Sequence, residues 1–144
     1  MDGQTLYFSV FATTTSATSG AWRLNLAGRG RNVFIENSAT GWSLNEYSAR
    51  PVASSATLAL NTPTLLVVRV DFVAGAGDVF QLWVNPVLGA TLGAPNATLT
   101  TAVDFSGLTG CSPRPAARGV ETQCLSPPSP PPAFPDGAHS TRPV

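Results

Sequence analysis

Hydrophobic and polar residues alternate along most of the first 110 positions. In AWRLNLAG (21–28), Trp22, Leu24 and Leu26 fall on one side of an extended chain and Arg23 and Asn25 on the other. That period of two marks a half-buried strand. LYFSVFATT, NVFIEN, WSLNEY, ATLAL, TLLVVRVDFV, DVFQLWVNP and ATLTTAVDF read the same way, with Gly, Asn, Ser and Pro between them. No segment keeps a helical period. The pattern predicts an all-β protein, an antiparallel β-sandwich or barrel.

The two strongest runs flank AGAGD and predict a hairpin. A loop over Ala74 to Asp78 places Val73 opposite Val79, Phe72 opposite Phe80, Val70 opposite Leu82 and Val68 opposite Val84. One face is then wholly apolar, and a slip of one residue would expose all of it. The other face sets Val67, Arg69 and Asp71 against Asn85, Trp83 and Gln81. In this register Arg69 covers the Trp83 indole, a cation–π pairing. Gly75 and Gly77 provide positive φ for the loop. Pro86 ends the second strand and is expected to hold Asn85 extended.

Composition divides the 144 residues in two. Nine of the 13 prolines fall in 111–144, where large apolar residues are too sparse to build a core. The expected boundaries are a β domain over 1–110 and a disordered Pro-rich tail over 111–144. Cys111 and Cys124 both lie in that tail, and with His139 alone beyond them they match no zinc pattern. Charged residues are 11% of the chain and the net charge is zero, with Arg as every basic residue. No basic patch exists, so nucleic acid is excluded as a partner class. No apolar run is long enough to span a bilayer, so no membrane insertion is expected. MDGQTLYFSV lacks the features of a signal peptide.

The segments LYFSVFA, LLVVRVDFVAGAGDVFQLWVNP and VDFSGL together resemble concanavalin A-like (LamG-like) jelly-roll domains of bacterial exported proteins, some of PEP-CTERM or autotransporter-associated type. The likeness runs from about Thr5 to Leu108. It implies a lectin-like β-sandwich of a secreted or cell-surface protein. Against that pattern Met1 falls just before the YFS strand, and the Pro-rich tail stands where a closing strand is expected. The resemblance therefore implies an incomplete, truncated or frame-shifted sandwich. Its unpaired edge strands would favour self-association.

Catalytic chemistry is disfavoured by the residues themselves. Sandwich-fold glycosidases need two carboxylates facing the sugar, yet no strand carries acids two or four positions apart. The single histidine, His139, rules out a Ser-His-Asp arrangement in the β region. The expectation is a non-enzyme. Carbohydrate sites set an aromatic platform beside polar groups, and Trp83 with Gln81, Asn85 and Arg69 is the candidate set. An ordinary outward face accounts for the same four residues. Trp42 and Tyr47 are read as core or rim aromatics, and Trp22 as core. No cofactor is expected. Calcium, common in LamG-like domains, would have only Asp78 and Asp104 as candidate ligands. Asn96-Ala97-Thr98 is a formal glycosylation sequon. The partner class is thus a polysaccharide or other glycan. The alternatives are a purely structural envelope module and, behind it, a hydrolase remnant.

Overall fold

The computed structural model describes residues 2–28, 31–47, 51–105 and 107–114, and the regular elements among them are all strands. In chain order these are β1 (Thr5–Ala12), β2 (Arg23–Gly28), β3 (Arg31–Asn37), β4 (Gly41–Glu46), β5 (Val52–Thr57), β6 (Thr64–Asp71), β7 (Val79–Val84), β8 (Ala97–Thr100) and β9 (Gly110–Arg114). They form two antiparallel sheets. One runs β1-β6-β7-β8 and the other β5-β4-β3-β2-β9. The architecture is all-β and sandwich-like, and the chain crosses between sheets after β1, β5 and β8.

Alternation along each strand builds the core. Leu66, Val68 and Val70 of β6 and Phe80 and Leu82 of β7 point inward, and none of the five is accessible to solvent. Leu24, Val33, Ile35, Trp42 and Leu44 meet them from the other sheet, joined by Trp22 and Leu26. Trp22 and Trp42 pack edge to face at 5.2 Å, and Phe80 meets Phe105 at 5.7 Å in the same manner. Such aromatic pairs contribute about 0.5–1.5 kcal/mol beyond their buried area. Both expected core tryptophans are therefore core, whereas Tyr47 stands in solvent.

The hairpin forms, but its register differs from the expected one by two positions. Val68 faces Leu82, Val70 faces Phe80, Arg69 faces Gln81, Val67 faces Trp83 and Asp71 faces Val79. A shift of two preserves every face, so the apolar side stays in the core. The loop is accordingly longer, with Phe72 and Val73 outside the β6–β7 ladder.

Asp78 is the physical reason for the shift. It is fully buried, and its two carboxylate oxygens accept the Val73 N–H at 2.8 Å and the Phe105 N–H at 2.9 Å. Its own N–H donates to Thr101 Oγ1 at 2.8 Å. These bonds hold the loop open instead of letting it zip shut. Gly77 is required because a Cβ there would lie 1.7 Å from the Thr101 carbonyl, and Gly75 takes φ 66°.

Three other expectations need correction. The fifth strand is Val52–Thr57, which begins four residues before ATLAL and shares only Ala56 and Thr57 with it. Its small residues let β4 approach closely, and a Cβ on Gly41 would sit 2.4 Å from the Ala56 carbonyl. Asn85 is not extended but left-handed, at φ 50°. Asparagine tolerates that region. Its N–H donates to the Leu65 carbonyl and its Oδ1 accepts the Leu65 N–H, at 2.7 and 2.8 Å. Finally, a strand does follow VDFSGL. β9 pairs with β2 from Gly110 to Arg114, beyond the expected boundary at 110. Pro113 is tolerated because β9 is the last strand in its sheet. The rest of the expected disordered tail, with Cys124 and His139, lies outside the described residues.

Replacing Asp78 with Ala leaves the Val73 and Phe105 N–H groups without their acceptor, the second of them buried. We predict a loss of about 2–4 kcal/mol in urea unfolding. Asp2→Ala, at an exposed position, is expected to change stability by less than about 0.5 kcal/mol.

Candidate functional site

The outer face of the four-stranded sheet carries a row of facing residues, Tyr7, Arg69, Gln81 and Thr98, one from each strand. Period-two alternation puts all four side chains opposite the core. The next row is Ser9, Val67 and Trp83, and on the other side run Thr5, Asp71, Val79 and Thr100. Over part of this face the loop after β7 folds back. Together they enclose an open groove of about 450 Å³. Tyr7, Arg69, Gln81 and Trp83 line it from the sheet, and Thr91, Leu92, Gly93 and Pro95 line it from the loop.

Three of the four expected site residues meet here: Trp83, Gln81 and Arg69. Asn85 does not. It closes the end of the β6–β7 ladder through Leu65 and does not line the groove. The role expected of Trp83 also changes. It is only 7% exposed, and its Nε1–H donates to the Gly93 carbonyl at 2.8 Å. The indole thus pins the returning loop to the sheet and forms the groove's inner wall. The loop is anchored again at its far end by Asn96. That side chain accepts the Val84 N–H and donates to Ser55 Oγ, and the Asn96 carbonyl accepts the Ser55 N–H. The sequon asparagine is therefore a link between the two sheets, and a glycan on its amide would sit at the bond from Nδ2 to Ser55 Oγ.

The accessible aromatic is Tyr7, which is 53% exposed. The Arg69 guanidinium lies 5.9 Å from its ring centre. Arg69 also donates its Nε–H to Asp71 Oδ1 at 2.9 Å, an oxygen that accepts the Thr5 hydroxyl as well. The hydrogen bond that Arg69 donates to Asp71 pushes the Arg69 pKa up, reinforced by the charge of Asp71 and by Tyr7. The guanidinium therefore stays protonated, and Asp71 balances its charge. Tyr7 escaped the sequence reading because it reaches the groove through β1–β6 pairing, a contact between distant segments. The available signal was the alternation that sets Tyr7, Ser9 and Phe11 on one side of LYFSVFA.

A second polar group occupies the outer face of the five-stranded sheet. Glu36 is 3% exposed and accepts from Arg23 Nε at 2.7 Å and from Asn45 Nδ2 at 2.9 Å. Arg23 also covers the Phe34 ring at 4.7 Å. Here both carboxylate oxygens have donors, which suits a network that fixes strand pairing. Glu46 accepts the Ala102 N–H through Oε2 at 2.9 Å. Asp78, one of the two calcium candidates, holds backbone N–H groups with both oxygens. The other, Asp104, accepts from the Gly75 N–H at 3.4 Å. Among the described residues no three His, Cys, Asp or Glu side chains gather as a metal-holding group. Among the same residues no helix is long and apolar enough to cross a membrane.

Fold and site thus define a two-sheet antiparallel protein with one outer sheet face partly roofed by a loop. The chain matches no family model, no curated protein and no solved structure.

The indole's role is testable. Trp83→Phe keeps an aromatic wall but deletes the donor to Gly93. We predict a cost of about 1 kcal/mol and faster amide exchange over residues 88–94 than in β6, read by hydrogen-exchange mass spectrometry.

Proposed function

We propose that this chain is a non-catalytic, lectin-like module that holds a carbohydrate in the groove beside Tyr7. In this reading the sandwich is a jelly roll of the concanavalin A-like (LamG-like) kind and serves a secreted or cell-surface bacterial protein. The observation that carries it is Tyr7 itself: a half-exposed ring beside Arg69, lining the groove together with Gln81. A sugar presents an apolar C–H face and a rim of hydroxyls. The ring suits the first; the Gln81 amide and the Arg69 guanidinium suit the second. An open groove suits one segment of a chain better than a small enclosed molecule.

The non-catalytic part rests on the carboxylates. Asp71 is the acid next to the groove, and it is held by Arg69 and Thr5. A glycosidase would need a second carboxyl group across the sugar from it, and the groove lining supplies none.

A structural envelope module is the second reading. Trp83 favours it, because the indole is covered and bonded within the protein.

Affinity gel electrophoresis against soluble β-glucans, xylan and galactomannan separates the two. The lectin reading predicts retardation by at least one polysaccharide. Tyr7→Ala and Gln81→Ala should each weaken it about tenfold, the equivalent of ~1.4 kcal/mol, with the fold intact by circular dichroism. If no polysaccharide retards the protein, the structural reading stands. Release of reducing sugar would overturn the non-catalytic assignment.

A further inference from the structure

We propose that two copies of this chain pair through β1, antiparallel about a two-fold axis at Ser9, to make one continuous eight-stranded sheet. The inference does not depend on the carbohydrate reading, although both use Tyr7. It rests on the open side of β1, its residue pattern and its uneven burial.

β1 pairs with β6 on one side and has no second neighbour in its sheet among the described residues. Its backbone groups can be assigned. The Asn85 N–H donates to Leu65 O, so odd positions of β6 bond toward β7. Even positions of β6 therefore bond toward β1, where Leu6, Phe8 and Val10 face Val70, Val68 and Leu66. The Phe72 N–H bonded to Gln4 O agrees with this alternation. Thr5, Tyr7, Ser9 and Phe11 are left with their N–H and C=O directed to the open side. Those groups take another strand.

Edge strands normally carry a charge, a proline or a bulge that blocks such pairing. TLYFSVFA has no charge and no proline, pairs with β6 without a register break, and runs for eight residues. With no charge in the strand, self-pairing opposes no like charges.

The pattern also selects the register. Centring the axis on Ser9 puts Ser9 opposite its own copy and Tyr7 opposite Phe11, twice. Tyr7 and Phe11 are 53% and 62% exposed and stand on the same face. On the inner side Phe8 meets Val10 and Leu6 meets Ala12. Burial is complementary in this arrangement. Leu6 and Phe8 are only half-buried, while Val10 and Ala12 are fully buried. Antiparallel pairing sets the covered half of each strand beside the uncovered half of the other. Centring on Phe8 instead would face Tyr7 with Ser9 and Phe11 with Thr5, leaving the two exposed aromatics unmatched.

The test uses the full 144-residue chain. Sedimentation equilibrium should give twice the 14.9 kDa chain mass. Ser9→Pro removes a donor that the β1–β6 ladder does not use, and Ser9→Lys sets two charges together on the axis. Both should return the monomer with an unchanged circular dichroism spectrum. A third variant reads the register without weakening the strand. With Cys111 and Cys124 changed to Ser, Ser9→Cys should oxidise to a disulfide-linked dimer. Facing residues of a hydrogen-bonded pair lie about 5.5 Å apart at Cα, within disulfide reach. Tyr7→Cys and Phe11→Cys should cross-link only when mixed. A monomer at every concentration overturns the proposal. So does a dimer that survives Ser9→Pro and Ser9→Lys, or one in which Ser9→Cys does not cross-link.

Discussion

Parity across β6 governs this molecule. The strand sits between β1 and β7, and its alternate residues belong to different worlds. Leu66, Val68 and Val70 lie in the core, while Val67, Arg69 and Asp71 form the outer face. Antiparallel pairing transmits that division sideways, so Phe80 and Leu82 must enter the core and Gln81 and Trp83 must leave it. The same rule on the other flank sends Phe8 and Val10 inward and Tyr7 and Phe11 outward. The sheet side of the groove, with Tyr7, Arg69, Gln81 and Trp83 on one face, follows from that alternation carried across the paired strands.

The hairpin shows what such a constraint fixes and what it leaves free. Hydrophobic alternation specifies which face a residue takes, and it does so for LYFSVFA, AWRLNLAG, TLLVVRVDFV and DVFQLWV. It does not distinguish registers that differ by two, because both bury the same residues. That choice falls to loop chemistry. Here the decisive group is Asp78, whose carboxylate binds one backbone N–H within the loop, that of Val73, and one beyond β8, that of Phe105. In the sequence it reads as one more polar turn residue. Its burial depends on Thr101 and Phe105, more than twenty positions away.

The candidate site was partly legible for the same reason. Arg69, Gln81 and Trp83 share a face by local alternation, and the structure keeps them together. Asn85 fell out because its side chain serves the strand end, and its left-handed backbone turns the chain away. Tyr7 was missed because only the sheet order brings β1 beside β6. Trp83 was assigned to the right face, but its burial comes from a loop whose path alternation does not describe. β9 was hidden by composition, since a proline-rich stretch gives no strand signal even where an edge strand accepts it. β5 was displaced because VASSAT pairs through small residues that lack the apolar signature of ATLAL.

Inter-strand proton contacts test the central claim most directly. In a non-hydrogen-bonded antiparallel pair the facing Cα atoms lie about 4.5 Å apart, close enough for a strong Hα–Hα nuclear Overhauser effect. The account predicts such contacts between Val68 and Leu82 and between Val70 and Phe80 in isotope-labelled protein. Contacts between Val70 and Leu82 would contradict the register that Asp78 is argued to set, and contacts at an odd offset, such as Val67 with Leu82, would contradict the division of faces itself.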